Sequence, residues 1–157
     1  MNKKVKTKEV LAAWQVLSQA KFDKLDDNEK VHVFHIGQEL KPIATAFSDY
    51  SADAMEKMKP SGDFQERWDK AKIYETMTQN PNANMDELPM GPAEYKDFML
   101  KDYFKFDRLW RKAIKEEGDK EVTLKFAPLD ESTLFQLADA NKWNVDQSTA
   151  VAAVVCK

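Results

Sequence analysis

Apolar side chains recur three and four residues apart along most of this chain, the signature of helices that bury one face. Val10, Ala13, Trp14, Leu17 and Ala20 predict a first helix over 7–20. A connector follows over 21–25. Asp26 with Glu29 three residues on has the form of a capping box, so a second helix is expected to open near Asp27. Its apolar positions are Val33, Ile36, Leu40, Ile43, Phe47, Tyr50 and Ala54, spaced in strict alternation of three and four. Such regularity describes a narrow seam of the coiled-coil type. The pattern reaches Met58 and stops at Pro60-Ser61-Gly62. Pro42 removes one helical hydrogen bond, to the carbonyl of Gln38, yet the seam keeps its phase across it. A kink is expected there and not a break.

Asp63 with Glu66 repeats the capping-box pattern and predicts a third helix to about Thr78, with Phe64, Trp68, Ala71, Tyr74 and Met77 inward. Residues 80–91 hold Pro81, Pro89, Gly91 and the asparagines Asn80, Asn82 and Asn84, which predict a dispensable surface loop. Pro92 suits the first turn of a fourth helix, lined by Tyr95, Phe98, Met99, Tyr103, Phe106, Trp110, Ala113 and Ile114 and ended by Gly118. The period then changes. Val122, Leu124 and Phe126 alternate with Thr123 and Lys125, a short strand. No partner for it is evident in the chain, so it is expected to lie extended on the helices or to pair with a second copy. Asp130 is expected to cap a short helix over Leu134, Leu137 and Ala138, ended by Asn141. Trp143 plugs the turn, and Asn144 with Gln147 opens a last helix carrying Val151, Val154 and Val155.

The expected fold class is mainly α. A long antiparallel helical hairpin or bundle occupies 1–118, and a small C-terminal strand-plus-two-helix subdomain, 119–157, packs on it. Composition agrees: four Gly and six Pro in 157 residues are about half the ordinary share, so turns are few.

Charge narrows the partners. The net charge is −3, which gives no general attraction to nucleic acid or anionic lipid. It is unevenly spread. Residues 1–25 hold six lysines against two acids, and residues 26–91 hold thirteen acids against seven bases. Lys3, Lys4, Lys6 and Lys8 read as a solvated tail before the first helix. The single cysteine, Cys156, excludes an internal disulfide and reads as small filler at the end of an apolar helix. No apolar stretch approaches the ~18 residues of a membrane span, and no apolar core follows the first lysines as in a signal peptide. A cytoplasmic protein is expected.

Chemistry-bearing patterns are sparse. Glu29-x-x-His32 has the spacing of a di-iron carboxylate–histidine pair, but that site needs a second pair and the only histidines are His32 and His35. A single metal on His32, His35 and Glu39 is the one ligand set left, since these share a helical face; the plainer reading is a solvated face. Residues 132–155 have the outline of a helix-turn-helix, yet the second helix offers Gln147, Ser148 and Thr149 without a basic residue. Trp68, Tyr103 and Trp110 at helical spacing read as core and not as a stacking platform. Lys101, Lys105, Arg108, Arg111, Lys112 and Lys115 interleave with acids and read as a salt-bridged face open to an acidic partner. No catalytic residue and no cofactor is expected.

The layout resembles small helical proteins of unknown function encoded among the structural and assembly genes of tailed bacteriophages and prophages. Val10-Leu11-Ala12-Ala13-Trp14, Leu40-Lys41-Pro42-Ile43, Val122-Thr123-Leu124 and Leu129-Asp130-Glu131-Ser132-Thr133-Leu134 carry the resemblance, which is architectural. It implies a non-enzymatic protein–protein interaction role, as a minor structural or assembly factor with a protein partner or a second copy. Val122, Leu124, Phe126 and Trp143 are the expected interaction residues. The rival reading is a nucleic-acid-associated regulator using the basic N-terminus and the 132–155 unit.

Overall fold

A computed structural model describes residues 2–157. The chain is mainly helical, as the spacing predicts. In order it runs β1 (Lys3–Lys6), α1 (Thr7–Leu17), α2 (Asp27–Met58), α3 (Phe64–Gln79), a 3-10 turn (Met85–Glu87), α4 (Pro92–Asp97), a π-helical turn (Phe98–Tyr103), α5 (Phe104–Gly118), β2 (Glu121–Leu124), α6 (Glu131–Asn141) and α7 (Val145–Val155). Two compact units result. One joins the residues up to Ser51 to Lys115–Lys157, and the other is Ala52–Ile114. Residues 119–157 therefore share a unit with the N-terminal elements, because β2 pairs with β1 and α7 packs on α1.

In the first unit, α2 opens on the expected box: the Asp26 N–H donates to Glu29 Oε2 (2.9 Å) and the Glu29 N–H to Asp26 Oδ1 (2.8 Å). The helix continues through Pro42. Val33, Ile36 and Leu40 are buried, and so are Val10, Ala13 and Leu17 of α1, Leu134 and Leu137 of α6, and Val151, Val154 and Val155 of α7, all in one core. The seam is thus covered largely by short elements of this chain, and only Tyr50 among its positions is exposed. Asn141 ends α6 as expected. Its side chain accepts from the Lys21 N–H (2.7 Å) and donates to the Lys21 carbonyl (3.0 Å), tying the helix to the connector. Asn144 and Gln147 form the capping box of α7, whereas Asp130 stands at the start of α6 with no side-chain cap bond.

The N-terminal lysines are not a tail. Lys3–Lys6 pair antiparallel with β2, in the register Lys3↔Leu124, Val5↔Val122 and Lys6↔Glu121. The strand expected to lie alone or to pair with another copy finds its partner here, more than a hundred residues away. Burial of Val5 in the core drives this, while the alternate lysines stay on the outside, where they discourage further strand addition. Gly118 sits where these elements converge: a Cβ there would lie 3.2 Å from Lys8 Cβ and 3.4 Å from the Phe47 ring. Lys8 Nζ (2.7 Å), Lys6 Nζ (3.3 Å) and Lys115 Nζ (3.5 Å) surround one carboxylate, Asp119. The hydrogen bonds from Lys8 and then Lys6 hold that carboxyl well below the usual range. Because the folded value is depressed, the contribution is present above the unfolded value of about 3.9 and is lost as pH falls below it. We expect the urea midpoint to drop in that acid window, and Asp119→Asn to lessen the drop. Added salt should shrink the difference, since the groups are solvent-accessible.

The second unit is built on aromatic rings. Phe64 of α3 lies 5.4 Å from Phe98 and 5.2 Å from Phe106, and Trp68 lies 5.5 Å from both Tyr103 and Phe106. The π-helical turn adjusts the phase: the Phe104 N–H bonds back five residues to the Met99 carbonyl. Asp63 makes no cap bond, contrary to the expected box. Gly62 enters the helix at φ +85°, and Glu66 pairs with Lys70 (2.9 Å). The 80–91 segment lies mostly on the surface, as expected, and Met90 near its end is buried in the aromatic cluster. The Tyr95 hydroxyl donates to Glu75, a bond that with partial burial pushes its pKa up to about 12.

Candidate functional site

His32, His35 and Glu39 do not assemble as ligands. The His32 Nε2–H donates to the Ala127 carbonyl (2.8 Å), and Glu39 Oε1 accepts from the Lys125 N–H (2.6 Å). Both side chains therefore hold the backbone that leaves β2, while His35 is exposed beside Phe34. Among the described residues no three His, Cys, Asp or Glu side chains group as a metal site.

The four expected interaction residues sit largely inside the first unit. Leu124 is fully buried, Phe126 nearly so, and Val122 and Trp143 pack half-buried on the same core. They hold the unit together, leaving little surface to a partner. The basic N-terminus is similarly engaged. Lys3 Nζ donates to the Cys156 carbonyl (2.7 Å), Lys4 faces Glu121 (3.7 Å), and Lys6 and Lys8 share Asp119. Cys156 is itself buried, which pushes its thiol up from the ordinary value. Trp68 and Tyr103 belong to the aromatic core of the second unit. Trp68 also carries the Lys72 ammonium 4.4 Å and the Lys59 ammonium 5.7 Å from its ring centre.

No family model, curated protein or solved structure matches this chain. A site must therefore be read from the surface itself. The clearest candidate is the outer face of the π-helical turn and α5. Leu100 is 63% exposed, Phe104 58% and Leu109 57%, although each is a large apolar side chain. Phe104, Lys105, Arg108 and Leu109 line a shallow cleft of about 280 Å³. The neighbouring cations fall into two sets. Lys101 pairs with Asp97 (2.6 Å) and Arg111 with Asp107 (2.7 Å), whereas Lys105 and Arg108 are exposed without an ion pair among the described residues.

The inward stripe from Tyr95 to Ile114 accounts for the buried side of this segment and omits these three residues. Their signal was available as apolar residues falling outside the stripe. What it lacked was any sign of which acids would reach which bases.

Proposed function

We propose that this chain is a non-enzymatic protein-interaction module, a minor structural or assembly factor of the phage or prophage kind that its layout resembles. Its docking element is the outer face of α5 with the turn before it, and its partner there is an acidic amphipathic helix. One observation carries the reading: three large apolar side chains stand in solvent on one short segment, flanked by two unpaired cations. Leu100, Phe104 and Leu109 supply apolar area to bury, and Lys105 and Arg108 select the sign of the partner's charge.

The test uses two fluorescent helical peptides with the same leucine spacing, one bearing glutamates and the other lysines. Anisotropy should show binding of the acidic peptide only. Phe104→Glu should weaken it at least tenfold while circular dichroism and the urea midpoint stay unchanged, because residue 104 is exposed. Equal affinity for both peptides, or indifference to Phe104→Glu, would refute the proposal.

A further inference from the structure

A groove in the first unit carries recognition chemistry independent of the α5 face. Trp14 and Leu17 of α1, Phe22 of the connector, and Val33, Phe34 and Gly37 of α2 wall an open cavity of about 570 Å³. Phe34 is 58% exposed, so one wall of this apolar space is a ring standing in solvent. Gly37 has no side chain to fill it; a Cβ there would already touch Trp14 Cζ3 at 3.4 Å.

The polar lining comes from Ser18 of the connector and from Gln38 and Lys41 of α2, with Pro42 beside them. Position 42 has no N–H, so the Gln38 carbonyl lacks the donor that an unbroken helix interior would supply four residues on. Lys41, three residues on and therefore on the same face, is exposed and has no ion pair among the described residues. The groove thus combines a bulky apolar recess, an acceptor short of a donor, and a free cation.

We infer that it binds the free C-terminus of a peptide ending in a large apolar residue. The terminal side chain enters between Trp14, Phe22 and Phe34, the α-carboxylate pairs with Lys41, and the terminal amide N–H donates to the Gln38 carbonyl. Charge and donor complementarity select this occupant. A fatty acid brings the apolar body and the carboxylate but no N–H, and an internal segment of apolar residues brings the N–H but no carboxylate.

The probe is N-acetyl-phenylalanine, titrated into the full chain and followed by amide and indole NMR shifts. Its shifts should centre on Trp14, Gly37 and Lys41, and N-acetyl-phenylalaninamide should bind far more weakly. Lys41→Met should weaken the acid about tenfold, the scale of one charge-assisted hydrogen bond. Pro42→Ala restores the helical N–H, so it should weaken N-acetyl-phenylalanine several-fold yet leave 3-phenylpropionate, which has no N–H, unchanged. Residues 41 and 42 are exposed, so both variants keep the fold. Equal binding of acid and amide, equal effects of Pro42→Ala on both probes, or shifts lying elsewhere would overturn the assignment.

Discussion

Phe98→Ala is expected to destabilise the protein by about 3–5 kcal/mol, the usual cost of removing a buried ring and leaving its cavity. Phe98 is fully buried, and its ring meets Phe64 at 5.4 Å and Tyr103 at 6.4 Å. The Arg67 guanidinium carbon also lies 4.9 Å from its centre, while Arg67 Nη1 donates to Asp102 (2.8 Å). Truncation therefore removes ring contacts and one wall against which a paired arginine rests. A domain of this size holds only about 5–15 kcal/mol in total, so the loss is a large part of it. Urea titration measures the effect. Hydrogen exchange should place it in the second unit, with protection falling over 64–113. Phe104→Ala, six residues along the same segment but exposed, should stay within about 0.5 kcal/mol. Similar costs for the two would mean that the inner and outer faces have been exchanged.

Val5→Asp is expected to cost about 3 kcal/mol or more, because it puts an unpaired carboxylate into the core. Val5 is 6% exposed, sits opposite Val122 in the ladder, and belongs to the same core as Val10 and Leu124. Lys4→Asp, on the outer side of the same strand, exchanges the exposed contact with Glu121 for a solvent-screened repulsion and should cost under about 1 kcal/mol. The contrast between adjacent positions is the signature of a strand. In a solvated tail both substitutions would be neutral, and that result would refute the pairing of β1 with β2.

These two residues also mark how far the chain can be read without its fold. Phe98 was legible. The stripe from Tyr95 to Ile114 assigns it inward, as the three–four spacing assigns Val33, Ile36 and Leu40, and the Asx–Gln and Asp–Glu boxes at 144–147 and 26–29 place two helix starts. These are local relations, settled within one or two turns by helix geometry and nearby hydrogen bonds. Val5 was not legible. One valine among lysines shows no period, its lysine neighbours have little strand propensity, and its partner lies more than a hundred residues on. The same holds at the sites. His32 and Glu39 share a face that spacing alone allows to hold a metal, but the backbone of 125–127 arrives from the far end of the chain and takes both. Leu124 and Phe126 alternate like an edge strand, yet the core formed by α1, α2, α6 and α7 closes over them. Lys105 and Arg108 look no different from Lys101 and Arg111 until the acids within reach are known. The helices, their buried faces and the mainly α class can be read from the order of residues, because they follow from contacts a few residues apart. The strand pairing, the two units, and which apolar and charged groups remain for a partner emerge only on folding, because they depend on segments brought together from opposite ends of the chain.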